Sequence, residues 1–445
     1  TFDGTIKFIN SLRFLVPLMM SIISVLILIF LIFYINIKNI SVILSLFFLY
    51  FLSQVLGLIN TSSRDFFDLE NTYLIIFAFG TLSVLILLDN YQSKKITYTI
   101  LTLTLLIFSF VYFFIIFRSP EFLLIAIQDG SLYNLFNINL EFFEQSGPRI
   151  TGATRLVGIF TLFCLTFFLV KKRNNKVNFM IYILIILLSL FIWLGQSRGS
   201  LLCYYTSLFF LIFFLNNLSL LKKIILIVSI PLLSISISNI LINNSEKIVN
   251  IYIDISNQEF TQMPEAVQKR IDAKEKAVEE NIKNFEKNKK NLNFRVLDNK
   301  TSSGRFQLWE ESIREYKKDK IFGYGPQGDR YILWQTKIAD FYSSNSSNLL
   351  IYGFLSGGYV GLIILIVIYF YILLMILKFF LINKVYLLNY KITKNNFFYT
   401  FSLIITIFFL IRSLFENSYG LFSIDFLLMI VSLYILELNY RKKLT

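Results

Sequence analysis

The sequence predicts an all-α polytopic membrane protein of about 11–12 transmembrane helices with one large external loop, and three observations predict it. Hydrophobic residues make up 56% of the chain, with 49 Phe and a mean hydropathy of +0.65, which is more apolar surface than one water-soluble core can hide. Only 16% of residues are charged, and they collect between long apolar runs. Those runs are apolar on all sides. The strands of a transmembrane β-barrel would instead alternate apolar and polar residues, so a barrel does not fit.

A helix that crosses the bilayer core needs roughly 20 apolar residues. Eleven runs meet or approach this, at 12–35, 40–60, 72–89, 97–117, 152–170, 178–194, 200–216, 222–243, 354–383, 396–413 and 420–438. Lys and Arg set the orientation, because basic residues are retained in cytoplasmic loops. Lys38, Lys94 and Lys95, then Lys171, Lys172, Arg173 and Lys176, then Lys222 and Lys223, then Lys384, Lys391 and Lys394 fall in or beside alternate loops. Arg441, Lys442 and Lys443 at the C-terminus share that side, which is therefore cytoplasmic. An odd number of spans then places residue 1 outside. Since the chain begins with Thr, a further N-terminal piece is expected before it. The organisation expected is N-terminal transmembrane helices over 1–243, a large external loop over 244–353 and C-terminal transmembrane helices over 354–445.

The net charge of +14 belongs mostly to the cytoplasmic loops, since the long external loop carries nearly equal numbers of basic and acidic residues. With no aromatic-basic module either, nucleic acid is not an expected partner. Cys164 and Cys203 both lie in apolar spans, which indicates neither a disulfide framework nor a metal site. The chain has no histidine, so the commonest general base and most zinc chemistry are missing. No Asp-X-Asp occurs, and the carboxylate clusters of a metal-dependent sugar-nucleotide transferase are lacking. No metal and no cofactor are expected.

The external segments hold the polar chemistry. In 264–290, Val267, Ile271, Val278, Ile282 and Phe285 make one narrow apolar stripe after Pro264. This is a helix that either lies solvated over the membrane domain or meets a partner. In "SSGRFQLWEESIREY", Phe306, Trp309, Ile313 and Tyr316 recur at helical spacing. Gly323, Gly325 and Gly328 with Pro326 follow as a tight turn in which backbone can approach a ligand closely. Neither a phosphate-loop nor a dinucleotide fingerprint is present. "SSNSSNLLIYGFLSGGYVGL" then runs into a span through Gly357, Gly358 and Gly361, where small residues permit close helix packing. The polar run Ser343–Asn348 ahead of it would line a site at the membrane surface.

Arginine carries the functional argument. Arg198, in "LGQSRGS", sits between two apolar spans joined by scarcely any loop. A guanidinium at membrane depth is expensive unless it faces a cavity or a partner, although snorkelling to the interface is the plainer alternative. Arg149 in "GPRITGATRLVG" and Arg305 in "SGRFQLW" share the external side, and Arg155 could enter the same site. Guanidinium groups bind phosphate through paired hydrogen bonds, so these residues suit a membrane-dissolved substrate with a diphosphate at its surface.

"SRGS" opening an apolar span, a large external loop containing "GRFQLWEESI" and "IFGYGPQG", and then "SSNLLIYGFLSGGYVGL" occur in an order that resembles the O-antigen ligase and polymerase superfamily of bacterial inner membranes. The resemblance covers roughly 149–420. It implies a multi-pass glycosyltransferase with one large periplasmic loop, a glycan donor on undecaprenyl diphosphate, a sugar-hydroxyl acceptor and no metal requirement. By the same resemblance Arg198 and Arg305, with Arg149, hold the diphosphate; the glycine turn at Gly323 and Gly325 and the polar residues Ser347 and Asn348 are the further candidates for substrate binding. The ligases, which transfer glycan to lipid A core, usually have histidine where this chain has Ser347. A serine hydroxyl is no base near neutral pH without a group to take its proton. The expectation is therefore a polymerase of lipid-linked repeat units, working with a chain-length regulator, with the ligase as the nearest alternative. Glu416, in "RSLFENSYG", is the first candidate to accept the acceptor's proton, although an Arg412–Glu416 pair on one helix face would also explain it. Glu141, Glu144 and Asp329 are weaker candidates. A flippase for lipid-linked glycans would place charges near the middle of several spans, and few occur there.

Overall fold

The structure is a computed structural model. It describes residues 41–59, 61, 68–90, 94–117, 150–170, 175–194, 197–215, 218–244, 305–316, 321–335, 346–385, 390–417, 419–420 and 423–441, with four helical positions between 22 and 29. Arg149, Glu141, Glu144 and the striped segment 264–290 lie outside the described residues, as does most of the first apolar run.

Among the described residues the chain is all-α. Ten helices follow the later apolar runs: α1 (Val42–Ile59), α2 (Asp68–Asn90), α3 (Lys94–Phe117), α4 (Ile150–Val170), α5 (Asn175–Leu194), α6 (Arg198–Phe214), α7 (Leu220–Asn243), α10 (Leu349–Ile382), α11 (Phe397–Arg412) and α12 (Ile424–Arg441). Two short helices, α8 (Arg305–Arg314) and α9 (Gly328–Gln335), precede α10 in the chain. Val42–Ile59, Leu220–Leu241 and Leu349–Ile382 are long and apolar enough to cross a membrane, and shorter apolar helices accompany them. The protein is an all-α membrane protein.

Large side chains fill the centre, including Phe47, Tyr204, Phe401, Phe408, Phe409 and Phe426. The helix α11 packs on α12, α6 and α4, and α10 lies along α1. Leu202, Leu232, Phe370 and Leu377 remain exposed, as lipid-facing positions of a bundle would.

The helix α10 begins at Leu349, five residues before its apolar run, because Asn348 caps it. The Asn348 side chain accepts from the Leu350 and Ile351 amides, satisfying two donors that have no partner within a helix. The helix breaks at Gly358, whose φ of 67° and ψ of −159° lie outside the helical region. The glycine turn supplies what the break releases. The Tyr324 and Gly325 amides donate to the Leu355 and Ser356 carbonyls at 3.0 and 2.9 Å. Backbone freed inside a bundle needs such replacement partners. A Cβ at Gly358 would lie 2.0 Å from the Ile321 carbonyl oxygen, and one at Gly57 of α1 would lie 2.3 Å from that of Phe322. The turn is therefore clamped between α1 and the broken α10. Gly323 and Gly325, both at positive φ, are buried against these helices.

Candidate active site

The first half of the site is the start of α6. Ser197 is its N-cap residue, yet its side chain makes no capping bond. Instead Ser197 Oγ donates to Ser200 Oγ at 3.1 Å, and the Leu201 amide closes the turn on the Ser197 carbonyl at 2.9 Å. Arg198 lies between these serines as the first residue of α6, half-buried.

Ser200 is buried and also accepts from Arg412 Nη1 at 3.2 Å. Arg412 ends α11 and is 3% exposed. Its Nε lies 3.9 Å from Asp425 Oδ2, and Arg155 Nη1 lies 2.8 Å from the same oxygen. Asp425, in the first turn of α12, is also 3% exposed. One carboxylate oxygen thus serves two guanidinium groups. Among the described residues, Asp425 Oδ1 and Arg412 Nε have no hydrogen-bond partner. Glu416 adds a second negative charge within electrostatic reach of Asp425 and Cys203. Its amide donates to the Arg412 carbonyl at 2.9 Å, which continues the turn that ends α11.

The second half of the site is the start of α10, and the end of α11 joins it to the first. The Leu349 amide donates to the Ser413 carbonyl at 3.0 Å, and Asn348 Nδ2 donates to the Leu414 carbonyl at 3.1 Å. Asn348 and Ser200 are therefore both tied to the segment Arg412–Leu414. Ser347, 8% exposed, takes a positive φ of 48°, and this turns the chain abruptly into the capped helix.

Beneath that corner sits Asp329 of α9, 1% exposed. It accepts from the Ser346 amide at 2.8 Å, the Ser346 hydroxyl at 3.0 Å and the Arg330 amide at 2.9 Å. Burial pushes its carboxyl above the ordinary carboxylate range, while the bonds from Ser346 and the charge of Arg330 pull it back. Trp309 Nε1 donates to the Ser346 carbonyl at 2.6 Å, so α8 is fastened to the same corner. Arg305 opens α8 one helical turn before Trp309.

Of the residues expected from the sequence, Arg155, Arg198, Glu416, Ser347 and Asn348 thus gather on helix ends joined through Arg412–Leu414. The backbone of Arg305 starts the helix pinned to Ser346, and Arg149 lies outside the described residues. Gly323 and Gly325 spend their close approach on α1 and α10. Arg412, Asp425, Ser200 and Ser346 were not singled out as site residues. A charged residue within each of the last two apolar runs was the available signal.

Residues 183–366 match the family model described as O-Antigen ligase. The matched stretch runs from α5 past the break in α10, and includes Arg198, Arg305, the glycine turn, Ser347 and Asn348. Arg155, Arg412, Glu416 and Asp425 lie outside it. No curated protein and no solved structure matches the chain.

Proposed function

Taking the chain as one of the O-antigen ligase-related membrane proteins, we propose that it is a polyprenol-diphosphate-dependent glycosyltransferase that polymerises lipid-linked polysaccharide repeat units. It works at the periplasmic face of a bacterial inner membrane, crossing that membrane many times. The carrying observation is the concentration of arginine around the start of α6: Arg198 in the turn itself, and Arg412 and Arg155 behind it around a single aspartate. Guanidinium groups bind phosphate through paired hydrogen bonds, so arginine concentrated at the membrane surface suits a diphosphate.

In this reading Arg198 and Arg305, with Arg149, hold the donor's diphosphate. The acceptor's sugar hydroxyl attacks the anomeric carbon of the donor glycan. The bond from that carbon to the diphosphate breaks, and undecaprenyl diphosphate leaves with the electron pair. The hydroxyl proton passes to Glu416. Arginine neutralises the charge that develops on the leaving group, in place of a divalent metal. Ser347 and Asn348 bound the acceptor side, and the glycine turn supports them from behind through α10. Ser347 stands where a ligase would have histidine, which supports a lipid-linked repeat unit as acceptor.

The test supplies the purified protein with a polyprenol-diphosphate repeat unit, with and without lipid A core. A product ladder without core is expected. Transfer only to core would make the enzyme a ligase, and movement of the lipid across vesicles without new glycosidic bonds would make it a transporter.

A further inference from the structure

We propose that Arg412 is a positioning residue for the diphosphate site, holding the Ser197–Ser200 turn so that Arg198 is presented to the donor, with Asp425 fixing Arg412 in place. The proposal rests on the reading of Arg198 as a diphosphate ligand and extends it to residues outside the matched stretch.

The turn needs an external support. Its N-cap serine makes no capping bond, and its hydroxyl donates to Ser200 Oγ instead. Among the described residues, a tertiary hydrogen bond to this pair comes from Arg412 Nη1, at 3.2 Å. Arg412 therefore ties the first residues of α6 to the end of α11. Arg412 is itself placed from behind, because Asp425 Oδ2 lies 3.9 Å from its Nε and also binds Arg155 at 2.8 Å. The resulting chain Arg155–Asp425–Arg412–Ser200 links α4, α12, α11 and α6.

Stability does not explain the arrangement. A buried ion pair gains little over well-packed apolar residues even when every atom is satisfied. Here Asp425 Oδ1 and Arg412 Nε are buried without hydrogen bonds among the described residues. Arg412 also belongs to the segment whose carbonyls hold Leu349 and Asn348, so one helix end sets the spacing between the Arg198 turn and the capped start of α10.

The experiment is a double-mutant cycle on the full chain in nanodiscs, with a polyprenol-diphosphate repeat unit as donor. Arg412→Gln, Arg198→Ala and the pair are compared with the parent, and kcat and KM are measured separately for donor and acceptor. Arg412→Gln is expected to raise the donor KM about tenfold, leave the acceptor KM unchanged, and add less than about twofold once Arg198 is already alanine. Equal effects in the two backgrounds, or none in either, would overturn the proposal. Should Arg412→Gln fail to fold, Ser200→Ala deletes only the hydroxyl. It is expected to raise the donor KM in the same selective way, and an unchanged donor KM would overturn the proposal. Binding of undecaprenyl diphosphate to the parent keeps the two readings apart. A parent that neither binds it nor makes product defeats the functional reading and this proposal with it, whereas an active parent with an additive cycle defeats this proposal alone.

Discussion

The two ends of α12 carry opposite kinds of buried charge. At its start, two guanidinium groups share one oxygen of Asp425, and among the described residues Asp425 Oδ1 and Arg412 Nε are left without hydrogen bonds. At its end, one guanidinium serves two carboxylates. Arg441 donates to Glu437 at 2.8 Å and to Asp89 at 3.0 Å. Glu437 also accepts from Ser41 Oγ, the Val42 amide and the Ile43 amide, so it caps α1. Tyr434 completes Asp89 with a bond of 3.2 Å. The end of the helix is a closed network that ties α1 and α2 to α12. The start is an open one, rich in arginine and connected to the Ser197–Ser200 turn. A satisfied network stabilises a fold, whereas an incompletely satisfied one beside a surface motif is the arrangement expected of a binding site.

The contrast is sharpest in Arg198. Replacing it with alanine should lower product formation by about 10²–10³-fold, with lysine restoring little, and leave the melting temperature nearly unchanged. Loss of stability in place of activity would erase the distinction between the two ends. At the other end, Glu437→Gln should cost about 3 kcal/mol in unfolding while turnover per folded molecule stays at the parent level. Thermal denaturation and product yield on the same sample separate these outcomes. Asn348→Ala, which removes the cap that joins α10 to Leu414, should cost about 1 kcal/mol and lower kcat more than the donor KM.

The smallest effect concerns Asp329. Its folded-state carboxyl is raised by burial, so the folded chain binds the proton more tightly than the unfolded chain. That contribution to stability is present at low pH and is lost as pH rises from the ordinary carboxylate range through the raised value. The melting temperature of the parent relative to Asp329→Asn should therefore fall as pH increases through that window. A difference that rises with pH would show the bonds from Ser346 outweighing the burial.

The architecture was legible because each span needs many apolar residues, and a signal that long survives in composition alone. The start of α6 was legible for the opposite reason, since Arg198 interrupts an apolar run and has no local explanation. Arg412 was harder to read. Along the chain it is four residues before Glu416, which invites a pair on one helix face, whereas its hydrogen bond reaches Ser200, more than two hundred residues away. Nor does hydropathy reveal the start of α10. Ser346 and Asn348 are polar because they bind Asp329 and cap a helix, and sequence alone cannot distinguish such residues from a solvated loop. The break at Gly358 was hidden among glycines that also suit close helix packing, and its left-handed backbone depends on the turn 321–325 packed against it.

The most direct measurement is the affinity of undecaprenyl diphosphate for the purified parent, Arg198→Ala and Glu437→Gln. The parent and Glu437→Gln should bind alike, while Arg198→Ala binds at least about tenfold more weakly. Equal binding by all three, or a loss confined to Glu437→Gln, would contradict the assignment of the diphosphate to the arginine-rich end.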